Sequence, residues 1–408
     1  MSNSNLGLNR KVIKVLVDSL SDSDSKIYKD IMSITGEPSG EVDENDTLIN
    51  YLTDGTEVTT LTSNAVKKVA DNVFNGYDKL VTVNFPNVTS IGETAFYNCT
   101  NLTSIDLPNV TSIGGYVFYK CTSLTSIDLP NVTSIGDDAF GNCTSLTSID
   151  LPNVTSIGGN NAFKGCTSLT SIDLPNVTSI SGSNAFKGCT SLTSIDLPNV
   201  TSIGNTVFQG CTSLTSIDLP NVTSIDENAF SGCTSLTSID LPNVTIVAAY
   251  AFFNCTNLTS IDLPNVTSIG PYAFKNDINL TSINLPNVTS IVQSAFSDCT
   301  SLTSIDLPNV TSIAYGAFSN CTSLTSIDLP NVTSIAGNVF LGCTSLTKII
   351  IGTDISGTCT LNTNVFNNTP IASGSGYIYV SDDKVDTYKS ASNWSKYSAQ
   401  IKSVNELS

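Results

Sequence analysis

The chain has 408 residues, a formal net charge of −18, twelve cysteines and no histidine. Without imidazole, Ser-His-Asp and Cys-His nucleophile activation and histidine-based zinc sites are closed to it. Only Lys120, Lys164, Lys187 and Lys275 are basic between residues 85 and 347, which is too few to displace the counterions of a nucleic acid, and no apolar run reaches the roughly 20 residues that insert through a bilayer.

Residues 1–62 differ in kind from the rest of the chain. Leu8, Val12, Leu16 and Leu20 recur every fourth residue, which predicts a short amphipathic helix, and Ile27, Ile31 and Ile34 point to a second. The Gly-, Pro- and acid-rich stretch 36–47 reads as a linker. Lys14 interrupts the apolar run from Val12 to Val17, so the N-terminus does not read as a signal peptide. This segment is expected to dock, to form a homo-oligomer, or to fold back as an extended cap.

From residue 63 a 22-residue period begins. Residues 63–84 form a degenerate first coil, with Phe74 in register with Phe96 and Tyr77 in the place of a cysteine. Residues 85–350 hold twelve near-identical copies, of which one, Leu107 to Asp128, reads LPNVTSIGGYVFYKCTSLTSID. The copies containing Cys166 and Cys189 carry one extra residue. Within a copy, Ile127 and Leu129 alternate with polar residues, which predicts a half-buried strand that stops at Pro130. Asn131 supplies turn chemistry, and Val132 to Gly136 offers a second short extended piece. Ala139, Phe140 and Cys143 then suit one turn of helix or 3₁₀, with Phe140 and Cys143 facing inward. The expected core per coil is Leu, Ile, Leu, Val, Ile, Phe and Cys. One coil buries too little to fold alone, so stability belongs to the stack. The fold class is a repeat solenoid of leucine-rich-repeat type, one β-strand and a short helical turn per coil, preceded by a small helical segment.

Eleven cysteines, from Cys99 to Cys343, occupy one position in the repeat, and Asp277 fills that position once. No C-x-x-C pair exists, and parallel Cβ vectors in a ladder suit disulfides poorly. Free thiols in the core are expected. Residues 351–408 hold a decaying repeat around Val365-Phe366 and then a strand and helix over 376–401, expected to bury the single tryptophan, Trp394, as a C-terminal cap.

The combination LTSIDLPNVTSIGxxAFxxC, closed by a YIYVxxxxVxxYKxAxxWSxY-like cap, resembles the BspA-like leucine-rich repeats over residues 63–401. The asparagine of Leu129-Pro130-Asn131 comes one residue earlier than in the general leucine-rich consensus. The resemblance implies adhesion to host proteins, other microbes or glycans on a cell or mucus surface, with no catalytic residues to carry over. Secreted members have a leader or wall anchor, and neither is recognised here. A second expectation is therefore a phage virion fibre or decoration protein, with the first sixty residues as its attachment piece.

Three constellations are candidates for contact with a partner. Asp128, Asp150, Asp173, Asp196, Asp218 and Asp240 belong to a column of aspartates on the outer side of the long strand, where carboxylates about 4.8 Å apart repel one another. Such a column could hold calcium weakly, or consist only of solvated residues copied by duplication. A carboxylate pair there lacks the contrast of environments that acid/base catalysis needs. The Thr and Ser rows form a flat hydroxyl array suited to a repetitive surface, or to nothing beyond β-propensity. Variation between coils gathers beside the inward Phe, at Tyr97, Tyr116, Tyr119, Tyr250, Phe253, Tyr272 and Tyr315, and tyrosine suits interfaces. The recurring Asn-Val-Thr reads as turn chemistry, because glycans on successive rungs would not fit.

Overall fold

The computed structural model describes residues 38–42, 47–53 and 59–407. The helices expected from Leu8 and from Ile27 lie outside the described residues. The stretch expected as a linker contains a strand, Pro38–Val42, paired antiparallel with Thr47–Thr53. The second of these runs parallel to Lys68–Val69. The chain divides into two compact units, Met1–Leu197 and Pro198–Ser408, and from residue 59 on the described residues of each form a parallel-strand solenoid with coils of about 22 residues.

In the first unit, each coil contributes a long strand such as Ser126–Asp128 and a short one such as Ser134–Ile135. Pairing is in register between identical residues: Ser148 lies beside Ser126, Ile149 beside Ile127 and Asp150 beside Asp128. The short strands do the same, Ser134 beside Ser112 and Ile135 beside Ile113. Alternation of exposed Ser and Asp around buried Ile follows from the two-residue period of the strand. All seven expected core residues of this coil are buried (Leu124, Ile127, Leu129, Val132, Ile135, Phe140 and Cys143), and Ala139 joins them.

The third side of the coil is not a continuous turn of helix. Alternate amide groups leave the coil: those of Asp138, Phe140 and Asn142 donate to the carbonyls of Asn160, Ala162 and Lys164 in the next coil. The intervening amides of Gly141 and Cys143 close tight turns onto Asp138 and Phe140. Asp138 and Asn142 take left-handed backbone, with φ 51° and 57°, which resets the chain direction and prevents a helix from propagating. Two left-handed positions per coil are the price of laddering this side.

Side chains extend the ladder. The inward phenylalanines stack, Phe118 on Phe140 at 5.3 Å and Phe140 on Phe163 at 5.3 Å. Asn131 Nδ2 donates to the Pro108 carbonyl at 2.8 Å and Asn153 Nδ2 to Pro130 at 2.6 Å, so an asparagine ladder forms at the earlier position. Thr147 Oγ1 donates to Thr125 O at 3.0 Å. Every cysteine is a buried free thiol, and the thiols are more than small hydrophobes: Cys143 Sγ donates to the Phe118 carbonyl of the preceding coil at 3.0 Å. In the longer coil of Cys166, Gly159 lies hard against the coil before it. A Cβ there would lie 2.4 Å from the Gly136 carbonyl, so the close approach of the two backbones requires glycine. At the start of the array Phe74 stacks on Phe96 at 5.0 Å.

The second unit repeats this scheme and ends differently. Tyr377–Val380 pairs with Lys348–Ile351 and, on its other side, with Ile401–Ser403. Between them a short helix, Val385–Ser390, places Tyr388 inward. Trp394 is buried, donating Nε1–H to the Cys359 carbonyl at 2.7 Å, while the Tyr388 hydroxyl accepts from the Cys359 amide at 2.9 Å. Phe366 meets Tyr397 edge-on at 5.2 Å, so aromatic rings close this end of the phenylalanine column.

Candidate binding edge

The left-handed positions decide which residues can stand on the turn edge. Asparagine and glycine tolerate that backbone, and the strain for other side chains is about 1–2 kcal/mol. Several coils comply at the first position, among them those with Asn161 and Asn184, and most comply at the second, as Gly165 and Gly188 do. Seven coils depart from the rule at the first position: four carry Thr94, Asp138, Thr206 or Ser294 there, and three carry Tyr116, Tyr250 or Tyr272, with φ of 58°, 58° and 60°. Lys120, at φ 59°, departs from it at the second position of the same coil as Tyr116.

In the first unit these departures converge. Tyr119 stacks on Tyr97 at 5.2 Å with 19° between the planes, and Tyr116 meets Tyr119 edge-on at 5.6 Å. Lys120 Nζ lies 5.5 Å from the centre of the Tyr119 ring. The charge of the nearby Asp138 carboxylate raises the Tyr116 phenol's pKa above its ordinary value. Asp138 is held in turn by Asn161 Nδ2 at 2.9 Å. Gly141 of the next coil sits against the Tyr119 ring, where a Cβ would come within 2.8 Å. The result is a packed aromatic cluster in which Tyr116 stays 40% exposed.

A second cluster stands in the other unit. Tyr250 and Tyr272 stack at 4.8 Å, and Phe253 meets Tyr250 edge-on at 5.8 Å. Gln293 Nε2 donates to the Tyr272 hydroxyl at 2.5 Å. Ile246 takes an outward strand position that serine fills at Ser224 and Ser268, and is 50% exposed. Tyr315 is 54% exposed, its hydroxyl accepting from Asn338 Nδ2 at 2.6 Å. The sequence therefore located the aromatic residues, but not the left-handed backbone that three of them adopt. A signal of left-handed backbone was legible at the second position, the residue before each cysteine, which is Asn or Gly in most coils.

The aspartate column is arranged differently. Asp128, Asp150 and Asp173 stand in register, and with the flanking Ser and Ile residues they line a shallow depression on the long-strand face. Asp196 ends the long strand Ser194–Asp196. In the second unit Asp218 lies beside Asp240 and Asp240 beside Asp262, and Asn284 Nδ2 donates to Asp262 Oδ1 at 3.0 Å. The carboxylates are spread one per rung. Among the described residues no three acidic or cysteine side chains converge on a point that could hold a metal ion.

Comparison with known proteins agrees with this architecture. The pattern of the BspA type leucine rich repeat region matches residues 51–166, 155–279 and 267–375. A leucine-rich repeat protein from Bacteroides ovatus is similar at 27% identity, with a TM-score of 0.76, over 91% of this chain and 99% of that one. A leucine rich cell surface protein from Faecalibacterium prausnitzii is similar at 30% identity, with a TM-score of 0.51, over 79% of this chain and 93% of that one. No curated protein sequence matches the chain.

Proposed function

The chain belongs to the BspA-type leucine-rich repeat family, and from that premise we propose that it is a non-enzymatic adhesion protein whose contact surface is the aromatic turn edge. Its partner is a protein or glycan exposed on a cell or mucus surface. Proteins of this type are generally surface-binding, and the similar Faecalibacterium chain is a cell surface protein, which supports the same location here. The observation that carries the reading is the left-handed tyrosine. Asparagine serves that position in several coils and the small polar residues Thr94, Asp138, Thr206 and Ser294 in four others, yet Tyr116, Tyr250 and Tyr272 accept the same strain while keeping aromatic surface on the edge. Strained residues of this kind concentrate at functional sites, and rigid, half-exposed tyrosines are efficient contact residues. The strand face, nearly identical from coil to coil, offers no comparable discrimination. Catalysis has no support, because that uniform face lacks paired groups in contrasting environments.

The test uses residue types that the same positions carry in other coils. Full-length wild-type protein is compared with a Tyr116→Asn/Tyr119→Ser variant and a Tyr250→Asn/Phe253→Ser variant for binding to immobilised mucin, matrix proteins and fixed bacterial cells. Loss of binding by tenfold or more, with thermal unfolding unchanged, supports the edge. Full binding by both variants moves the contact surface to the strand face and refutes it.

A further inference from the structure

Asp277 is the one carboxylate that stands in the thiol column, flanked by Cys255 in the preceding coil and Cys299 in the following one. It is wholly buried. Its Oδ1 accepts the Cys255 amide at 2.7 Å, and its Oδ2 has no hydrogen-bond partner. The surrounding pattern shows what is missing. Cys255 Sγ donates to the Phe230 carbonyl at 3.1 Å and Cys299 Sγ to the Phe274 carbonyl at 3.0 Å. By the same register the residue at 277 faces the Phe252 carbonyl, and a carboxylate has no proton to donate there. A carboxylic acid does. Protonated, Asp277 reproduces the thiol's donor; ionised, it sets a bare charge against a carbonyl oxygen in an apolar column.

We infer that the fold keeps the Asp277 carboxyl protonated and that it releases its proton only when its coil opens, which makes the coil from Leu263 to Asn284 a pH-gated seam in the second unit. Among the described residues no compensating cation reaches it. Its neighbours in the column are the Cys255 and Cys299 thiols, both pushed up by burial. Lys275 and Asp298, 3.3 Å apart on a part-exposed face of the coil, pair with each other. Burial opposes ionisation of Asp298, but hydrogen bonds from Asn320 and Ser297 and the Lys275 ammonium hold it below the usual carboxylate range, so it stays charged throughout. Burial likewise holds the Asp277 carboxyl well above that range. The open coil ionises near pH 4 and the closed coil far higher. Between those values each pH unit favours opening by about tenfold, through one linked proton. In a solenoid, where coils are held only by neighbours, such a site separates the coils on its two sides into units that open independently.

Amide hydrogen exchange of the full chain tests this, read as protection factors so that the intrinsic pH dependence of exchange cancels. Peptides over 255–299 are compared with peptides over 118–166 between pH 5 and pH 8, in wild type, Asp277→Asn and Asp277→Cys. The expected result is protection over 255–299 that falls by up to tenfold per pH unit in wild type, stays level in both variants, and stays level over 118–166 in all three. The same pH profile in wild type and Asp277→Cys overturns the inference. So does Asp277→Cys being less protected than wild type at pH 7. Asp277→Cys restores the residue of the other coils, so failure to fold does not obscure the reading.

Discussion

Tyr250 stacks on Tyr272 at 4.8 Å, and both hold left-handed backbone, so each ring gains a neighbour while its own main chain is strained. An aromatic pair contributes about 0.5–1.5 kcal/mol, close to the strain of about 1–2 kcal/mol that asparagine relieves. Tyr250→Asn is therefore expected to unfold within about 1 kcal/mol of wild type. Tyr250→Ala loses the ring and keeps the strain, and falls at least about 1 kcal/mol below the asparagine variant. Denaturant titration of the three proteins decides it; equal stability of the two variants would show that the backbone sign carries no cost.

Asn153 makes its ladder bond to the Pro130 carbonyl at the exposed turn. Asn153→Ala should destabilise by about 0.5–1.5 kcal/mol. Asn153→Asp should cost more, since it sets a carboxylate against that carbonyl. Attaching an N-glycan at the Asn-Val-Thr sequence would occupy the same amide nitrogen, so enzymatic glycosylation of the folded protein should leave Asn153 unmodified by mass spectrometry.

Cys143 is buried and donates to the Phe118 carbonyl, and burial raises its thiol well above the ordinary value. For Cys166 the same effect reaches about 12. Thiolate is the reactive form, so a maleimide at pH 8 should label no buried thiol of the array on the timescale of minutes, and all twelve in denaturant. Cys143→Ala should cost about 1–3 kcal/mol, from the small cavity and the carbonyl left without its donor.

Trp394 is the only tryptophan and bonds to Cys359 O, so its fluorescence reports the C-terminal closure alone. Trp394→Phe keeps an aromatic ring but loses the pyrrole part of the indole and its Nε1–H donor, an expected loss of at least about 1–2 kcal/mol. Because coils depend on neighbours, the wild-type fluorescence transition should precede the loss of far-ultraviolet circular dichroism. Coincident transitions at every denaturant concentration would refute this.

The repeat made most of the fold legible. Period-2 alternation around Ile127 and the break at Pro130 lead directly to the strand Ser126–Asp128, and all seven inward residues come from the same pattern. Local pattern does not carry the third side of the coil. Phe140 and Cys143 at i, i+3 spacing fit a helix as well as they fit two tight turns, and only the ladder of Asp138, Phe140 and Asn142 onto the next coil separates them. At the candidate edge, composition brings out Tyr116 and Tyr250, while the influence of the Asp138 carboxylate on Tyr116 comes from the neighbouring coil. Asp277 is visible in the sequence as an exception; its unpartnered Oδ2 becomes visible only when the thiols on either side have been given their acceptors.

In-register pairing of identical residues has a consequence for how the chain reaches this state. When Ser148-Ile149-Asp150 pairs with Ser126-Ile127-Asp128, it makes the same contacts it would make with the matching strand of almost any other coil. Misordered stacks are then close in energy to the native one, which roughens the landscape. Order must come from landmarks: the short connection between consecutive coils, the odd-length coils with their glycine at Gly159, and an end that only Trp394 and Tyr388 can close. The near-perfect repetition that makes each rung sound also makes the rungs interchangeable, and the irregular residues serve as the count.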